Sequence, residues 1–234
     1  MSVAGLVLAA GSGTRFGGPK ALAVTGERTW LEIVITTLLQ GGCVPVVVVL
    51  GADAAVARAG VHMDRLQAER RIAASAIVWV INKAWADGRA GSLQCGLRAV
   101  PPETTGVVVH AVDHPDVRPE TVAALVAAHA GSSPGLPADS AIPVSPPRVP
   151  REAMGGSVFL PVHRGHRGHP VLLARTVWPE VLALAPDDSL RTVVHRDPAR
   201  LRDVEVNDPG IHRNRNEREP GEMAPVAQPH RGEQ

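Results

Sequence analysis

A glycine-rich segment that carries two cations follows the first apolar run of the chain. From Leu8 to Lys20 the sequence reads LAAGSGTRFGGPK, and it contains four glycines together with Arg15 and Lys20. Glycines allow backbone N–H groups to fold around an anion, and neighbouring cations favour a phosphate. The segment therefore predicts a phosphate-binding turn, and a flexible connector with incidental charges is the alternative.

The two common phosphate-binding loops do not fit this segment. The dinucleotide fingerprint G-x-G-x-x-G needs a glycine where Phe16 stands, and the Walker loop fails because Pro19 separates Gly18 from Lys20. Each glycine of those loops serves a fixed backbone angle, so a displacement by one residue matters. We therefore expect a turn of a different kind.

Asp113 is the second candidate, because it ends an apolar run and precedes the rigid turn at Pro115. A carboxylate that faces a polyphosphate requires a divalent cation between the two, since like charges repel. Mg²⁺ binds through one or two carboxylates together with phosphate oxygens and water. Asp113 is therefore predicted to be a metal ligand, and an aspartate that caps its own turn is the alternative.

Three histidines, His163, His166 and His169, recur at intervals of three residues. On a strand or hairpin this spacing places neighbours on alternating faces, unlike the H-E-x-x-H pattern on a helix. We therefore expect no metal site at His163 and His166. The remaining histidines, which include His110 and His212, form no informative pattern.

Composition and charge exclude several classes of protein. The chain has 234 residues, a net charge of +1, 3% aromatic residues and no tyrosine, which argues against a nucleic-acid-binding or polybasic membrane-surface protein. Cys43 and Cys95 cannot form a disulfide framework and match no zinc-finger spacing. No apolar run is long enough to cross a bilayer, and the first one lacks the charged region of a signal peptide. We therefore expect a cytoplasmic protein.

Short β-branched runs alternate with helical segments in the first part of the chain. Strands are predicted at 3–9, 44–50, 76–81 and 107–112, and helices at 30–40, 53–71 (with Asp53 as its cap), 92–99 and 119–130. Strands that are apolar on both faces are typical of a parallel sheet covered by helices. This order predicts an α/β fold with an open, mostly parallel, Rossmann-like sheet and helices on both faces.

The second half of the chain is less regular. Residues 131–156 contain six prolines and are predicted to form a surface loop or a disordered insertion. Further strands are predicted at 157–163, 170–174 and 203–206, and further helices at 177–184 and 190–195. We expect a single domain over residues 1–219 and a polar, disordered tail over 220–234.

The glycine-rich segment resembles the signature L-A-[AG]-G-x-[GS]-x-R-[FM]-G-x-x-K of the molybdenum-cofactor-type (MobA-like) nucleotidyltransferases. Four further segments match in order: N-x-x-W-x-x-G-x-x-x-S-L at 82–93, D-[QH]-P at 113–115, R-G-H-P-V-L-F (here RGHPVLL) at 167–173 and D-D-P-G (here NDPG) at 207–210. Five matches in order over about residues 3–217 are more specific than any one alone. Together they resemble the molybdenum cofactor cytidylyltransferases, and this implies the fold of the nucleotide-diphospho-sugar transferases.

The resemblance implies transfer of CMP from CTP to the phosphate of the molybdopterin–molybdenum cofactor, with release of pyrophosphate. This chemistry needs mainly positioning and charge neutralisation. Arg15, Lys20 and Asp113 are the implied catalytic residues. Mg²⁺ is the implied cofactor, held by Asp113 and Asn216, and a molybdoenzyme or its chaperone is an implied protein partner.

The resemblance also implies which residues bind the nucleotide and which lie on the acceptor side. His114 and His169 are expected on the acceptor side, and Ala10, where guanylyltransferases have glycine, favours CTP by narrowing the base pocket. Ser92 is expected either to cap the helix at 92–99 or to touch the nucleotide. The nucleotide-binding residues implied by the resemblance are Leu8, Ala9, Ala10, Gly11, Ser12, Gly13, Thr14, Arg15, Lys20, Asn82, Gly88 and Ser92.

The final motif of the family, D-[IV]-D-T-P-E-D, is altered in this chain. Asn214 and Asn216 replace both aspartates, and Arg215 replaces the hydrophobic residue between them. Loss of two charges should weaken metal binding. Alternatives to the cytidylyltransferase are therefore a guanylyltransferase, a sugar- or polyol-phosphate nucleotidyltransferase, and a nucleotide-binding relative without catalytic activity.

Overall fold

The computed structural model describes residues 2–11, 13, 18–70, 73–131 and 156–215. Its strands are β1 (Val3–Ala9), β2 (Val24–Thr25), β3 (Arg28–Thr29), β4 (Val46–Leu50), β5 (Ile77–Ile81), β6 (Gly106–Ala111), β7 (Val158–His163), β8 (His166–Arg167), β9 (Val171–Ala174) and β10 (Leu201–Glu205). Its α-helices are α1 (Trp30–Gln40), α2 (Ala54–Ala59), α3 (Met63–Arg70), α4 (Arg89–Arg98), α5 (Pro119–Gly131), α6 (Trp178–Leu182) and α7 (Leu190–His195). Strands and helices therefore alternate along most of the described chain.

One large sheet carries the fold. Its strands lie in the order β10-β7-β9-β6-β1-β4-β5, with β8 paired to β7, and β2 and β3 form a separate hairpin. β1 pairs in parallel with β4 and β6, as do β5 with β4 and β10 with β7. β9 runs antiparallel between β6 and β7. The predicted open, mostly parallel α/β sheet is confirmed.

The four valines of β4 show why its sequence is apolar at every position. Val46 and Val48 pack with α1 in one apolar layer, whereas Val47 and Val49 pack with α4 in the other. None of the four is accessible to solvent. Because successive side chains of a strand point to opposite faces, an inner strand with helices on both sides needs no polar positions.

Two helix predictions are corrected by the structure. The predicted helix over 53–71 is divided into α2 and α3, because Gly60 closes α2 through a bond from its N–H to the Val56 carbonyl. Asp53 precedes α2, but its side chain makes no capping hydrogen bond, so the predicted cap is wrong. α4 begins at Arg89 rather than at residue 92, so Ser92 lies inside the helix and does not cap it.

The second half of the chain completes the sheet. The strand predicted at 170–174 is β9, and it pairs with β7 as expected. The proline-rich insertion lies outside the described residues apart from Gly131 and Gly156, and the tail over 220–234 lies wholly outside them. The single domain over 1–219 stays a prediction. Among the described helices, none combines the length and apolar character needed to cross a membrane.

Candidate functional site

The candidate site lies where β1 and β6 end side by side. Their parallel pairing reaches Leu8 and Ala111, and the N–H of Val112 donates to the Leu8 carbonyl at 3.2 Å. The segment after β1 and the turn after β6 therefore leave the sheet at the same carboxyl edge, which is where ligands of open α/β sheets bind. The sheet thus brings two segments together that are about a hundred residues apart in sequence.

Lys20 and Asp113 meet across this edge. Lys20 begins a short 3-10 helix, Lys20–Leu22, and its Nζ lies 3.3 Å from Oδ2 of Asp113. The side chains are 18% and 20% exposed, so the pair is partly shielded but can be reached from solvent. A cation and a carboxylate that the sequence analysis singled out separately are therefore held together at the end of the glycine turn, and their catalytic role stays a prediction.

The turn itself is closed by glycines. The N–H of Gly18 donates to the Gly13 carbonyl at 3.2 Å, and Gly13 has a φ of +62°. A Cβ on Gly13 would lie 1.9 Å from the Gly18 carbonyl oxygen, so only glycine fits at this position. Gly11 is exposed with open space where a side chain would be. Three predicted residues of this turn, Ser12, Thr14 and Arg15, lie outside the described residues.

The second carboxylate oxygen of Asp113 is unusual. Among the described residues Oδ1 is buried without a hydrogen-bond partner, with Nε2 of His114 3.8 Å away, whereas Oδ2 faces Lys20. A buried carboxylate oxygen without a donor suits a cation that binds through a carboxylate and substrate oxygens, as Mg²⁺ does. Within the described residues no three His, Cys, Asp or Glu side chains are arranged to hold a metal ion, and the other predicted ligand, Asn216, lies outside them.

Three imidazoles lie beside Asp113. The ring of His114 is buried and lies 4.5 Å from that of His169, measured between centroids, while His169 is exposed above it. Burial, together with the charges of His169 and Lys20, lowers the pKa of His114 to about 4, against the opposing effect of Asp113. Desolvation also lowers the pKa of His169. The two predicted acceptor-side histidines therefore lie together, and burial favours the neutral form of both rings.

His110, on β6, is a site residue that the sequence did not identify. It is fully buried, and burial lowers its pKa to about 3. Its Nδ1 donates to the Ala111 carbonyl at 2.9 Å, but its Nε2 has no hydrogen-bond partner in the part of the chain that the structure describes. The available signal was a histidine in an otherwise apolar inner strand, three residues before Asp113. Buried polar atoms without partners often mark a functional site.

The segment after β10 closes the site from the other side. The N–H of Arg215 donates to the Asp113 carbonyl at 2.8 Å, and its guanidinium bonds both carboxylate oxygens of Asp116 at 2.8 and 2.9 Å. The same guanidinium lies 5.9 Å from the centre of the Trp30 ring. Arg215 therefore fastens the turn that carries Asp113, and it does so at a position where the family pattern has a hydrophobic residue.

The segment after β5 carries the remaining predicted binding residues. Asn82 is buried, its Nδ2 donates to Ser92 Oγ at 3.0 Å, and its Oδ1 accepts from the N–H of Ala84 at 3.1 Å. Gly88 has a φ of +146°, and a Cβ there would lie 2.1 Å from the Pro186 carbonyl oxygen. The hydrogen bonds of Asn82 and the close approach of Gly88 to Pro186 therefore fix the conformation of the segment after β5.

The end of β1 with Ala10 after it lies against Gly51, the residue that follows β4. A Cβ on Gly51 would lie 2.2 Å from the Ala10 carbonyl oxygen and 2.9 Å from Cγ of Trp85. Ala10 is buried, whereas Trp85 is partly exposed. Leu8 and Ala9 precede this contact on β1 and are partly buried. Gly51 therefore lets the Trp85 side chain pack directly against the backbone beside Ala10, and Trp85 was not among the predicted site residues.

Comparison with known proteins finds similar sequences over most of the chain. A model of the MobA-like NTP transferase domain matches residues 5–203. Nicotine blue oxidoreductase of Paenarthrobacter nicotinovorans is 32% identical over 206 residues, which are 86% of this chain and 85% of that protein.

Solved structures share the fold. Rv0371c of Mycobacterium tuberculosis superimposes with a TM-score of 0.65 at 24% identity over 88% of each chain, and a structure of Rv0371c in complex with manganese gives a TM-score of 0.63 at 23% identity over 88% of this chain and 89% of that one. A nucleotidyl transferase of Methanothermobacter gives a TM-score of 0.61 at 20% identity over 92% of each chain. At these identities the structures establish the fold alone.

Proposed function

The chain belongs to the MobA-like NTP transferase family, and we propose that it transfers CMP from CTP to a phosphate-bearing acceptor with release of pyrophosphate. The observation that carries this proposal is the contact between Lys20 and Asp113 at the end of the glycine turn. The proposed acceptor is the molybdopterin–molybdenum cofactor, which rests on the motif resemblance. The preference for CTP rests on the methyl group of Ala10.

The residues of the site suit an in-line displacement. An oxygen of the acceptor phosphate attacks the α-phosphorus, the bond to the β-phosphate breaks, and the electron pair leaves with pyrophosphate. Lys20 neutralises charge that grows on the leaving group, and the proposal assigns the same role to Arg15. Burial favours the neutral form of His114 and His169, and a neutral imidazole can accept or donate a hydrogen bond without adding charge to the site.

A divalent cation fits the second carboxylate oxygen of Asp113. Within the described part of the chain that oxygen, Oδ1, is buried without a hydrogen-bond donor, and we assign Asp113 and Asn216 as the residues that hold Mg²⁺. When bound, the ion supplies Lewis-acid stabilisation of phosphate oxygens. Asp113 is held for this purpose by the N–H of Arg215 on its carbonyl and by Lys20 on its other oxygen.

A second candidate function is favoured by one observation. The relative named nicotine blue oxidoreductase matches 86% of this chain at 32% identity. The same glycine turn and Lys20 could hold the pyrophosphate of a reduced nicotinamide dinucleotide, which would supply hydride to an organic acceptor. His114 and His169 would then lie beside the organic acceptor that takes the hydride, where an imidazole can donate a proton to it.

The experiment that tests the proposal is pyrophosphate release by the full chain. CTP, GTP and UTP are each supplied with Mg²⁺ or Mn²⁺ and with a panel of phosphate-bearing acceptors, and oxidation of reduced nicotinamide dinucleotides is followed in parallel. We expect release with CTP, and a loss of about 100-fold or more in Lys20→Ala and Asp113→Asn. The matched controls Arg98→Ala on α4 and Asp203→Asn on β10 are exposed positions and should keep the wild-type rate.

Each result has a distinct meaning. Oxidation of the dinucleotide without pyrophosphate release would favour the second function. Neither activity under any condition would refute both and would leave a nucleotide-binding protein without catalysis. Unchanged rates in Lys20→Ala and Asp113→Asn would remove both residues from the site.

A further inference from the structure

The two ends of the large sheet differ in composition. In the described part of the chain the sheet ends at β10 on one side and at β5 on the other. The outer strand of a sheet presents unpaired backbone N–H and C=O groups, and proteins usually protect it with charged side chains or proline. β10 has the sequence LRDVE, and its three charged residues are exposed. β5 has the sequence IVWVI, without charge or proline, so this edge lacks such protection.

Alternate residues of β5 direct their backbone groups away from the sheet. β5 pairs in parallel with β4, and the N–H of Asn82, the next residue, donates to the Leu50 carbonyl at 2.8 Å. Because the backbone groups of successive residues point to opposite sides of a strand, every second residue before Asn82 also faces β4. The backbone groups of Ile77, Trp79 and Ile81 therefore point outward. Within the described ranges no other backbone group serves as their hydrogen-bond partner.

Side chains at this edge are apolar and accessible. Ile81 is 58% exposed, which is the largest exposed fraction among the bulky apolar side chains of the described residues. Val78, Trp79 and Val80 are partly exposed. The guanidinium of Arg58, an exposed residue of α2, lies 5.7 Å from the centre of the Trp79 ring. Accessible apolar side chains and outward backbone groups therefore occur on the same strand, and both favour pairing with a further strand.

The residues of β5 read the same in both directions. Ile-Val-Trp-Val-Ile is a palindrome with Trp79 at its centre. When two copies of the strand pair antiparallel about a two-fold axis at Trp79, the two Trp79 side chains lie opposite each other and Ile77 lies opposite Ile81 of the partner subunit. In that register each outward residue and its opposite form a hydrogen-bonded pair and exchange both N–H···O=C bonds. No outward backbone group of these residues is then left without a bond.

We propose that β5 is a homodimer interface, at which two copies of this chain pair antiparallel and continue one sheet through both molecules. The partner is a second copy because the palindrome makes β5 complementary to itself, with aromatic and β-branched residues opposite residues of the same kind. The charge next to the strand agrees with this arrangement. Lys83 is the first charged residue after β5, and antiparallel pairing places the two lysines at opposite ends of the joined strands, where they do not repel each other. The interface uses none of the residues assigned to nucleotidyl transfer and does not depend on that function.

The mass of the full chain in solution tests the proposal. Sedimentation velocity from about 1 to about 100 μM should show the mass of two chains at the upper end, because self-association depends on chain concentration. Ile81→Lys places a charge at the edge, and Ile81→Pro removes an outward N–H without breaking a bond to β4. Each should weaken dimerisation by about tenfold or more. Val44→Lys changes another exposed valine, 54% exposed and outside β5, and as the matched control should dimerise like the wild type.

Hydrogen exchange of individual backbone N–H groups tests the register. The N–H groups of Ile77, Trp79 and Ile81 should exchange more slowly in the dimer than at concentrations where the chain is monomeric. A monomer at every concentration would overturn the proposal. Equal dimerisation by the wild type and by both Ile81 variants, with their folding checked by circular dichroism, would overturn it too. Slow exchange of the three N–H groups in a monomer would show that β5 is covered by its own chain, which also contradicts the proposal.

Discussion

Asp208 should contribute more to the stability of the folded chain than its small size suggests. Its side chain is 2% exposed, and it accepts three hydrogen bonds: from the N–H of Arg118 at 2.8 Å, from Oγ1 of Thr121 at 2.7 Å and from the N–H of Gly210 at 2.9 Å. Two of these donors lie at the start of α5 and the third lies in the segment that leads to Arg215. The carboxylate therefore ties the turn after β6 to the segment after β10.

The expected cost of Asp208→Ala follows from the three donors that it leaves without a partner. A buried donor that loses its acceptor costs about 1–3 kcal/mol, and bonds to a charged group lie at the upper end. Arg118 is exposed, so water can replace part of the loss, and about 1 kcal/mol for each donor gives a total of about 3 kcal/mol. With an m-value of about 2 kcal/mol/M, the urea midpoint should fall by about 1.5 M.

The measurement is urea unfolding followed by circular dichroism and fluorescence, with Asp203→Ala as the control. Asp203 is a carboxylate on β10 whose bonds to Arg167 lie at 46% exposure on both sides, and exposed pairs contribute at most about 1 kcal/mol. Thr121→Val removes one donor and should fall between the two. Equal destabilisation by Asp208→Ala and Asp203→Ala would show that burial and donor number do not decide the effect, and the reasoning would be refuted.

Three further predictions follow from the site. Lowering the pH from 7 to 5 should lower the free energy of unfolding of the wild type by about 2 kcal/mol through His110 alone. Burial holds the pKa of the folded His110 at about 3, whereas the unfolded imidazole takes up a proton near 6.5. Urea unfolding of His110→Leu should therefore show a smaller loss of stability between those two pH values. Gly13→Ala should lower CTP affinity in isothermal titration by about tenfold or more, since its Cβ would lie 1.9 Å from the Gly18 carbonyl oxygen, and should move the thermal midpoint by only a few degrees. Ala10→Gly should raise turnover with GTP relative to CTP, and an unchanged ratio would remove the base-pocket argument.

The parts of the fold that the sequence predicted well are those with local signals. The bounds of β1 and α1 were predicted to the residue, because β1 is a closed apolar run and α1 has apolar residues at helical spacing and ends before Gly41 and Gly42. The structure adds a capping box between Thr29 and Glu32. The apolar run at β4 identified an inner strand for the same reason. Such signals need no knowledge of which segment packs on which.

The parts that the sequence did not predict depend on contacts between distant segments. Arg215 and Asp116 are 99 residues apart, and no local sequence pattern predicts the bidentate ion pair between them. His163 lies directly opposite His166 in the pairing of β7 with β8, so the two share a face, and the expected alternation is wrong because a spacing of three does not supply the strand register. Asp208 stood in a recognisable motif, but its buried position between two segments becomes evident only in the folded chain.

The altered final motif changes the charge at the edge of the sheet in a way that bears on the reaction. Asn214 is neutral and Arg215 pairs with Asp116, so Asp113 lies at the glycine turn without the two aspartates of the family pattern. Lys20 already balances one of its oxygens. Binding of a polyphosphate should therefore depend more on cationic side chains and backbone N–H groups than on metal ions held by several carboxylates. A site of this charge suits a nucleoside triphosphate and the pyrophosphate of a dinucleotide alike. Membership of the family therefore predicts where the ligand binds at the sheet edge more closely than it predicts which reaction takes place there.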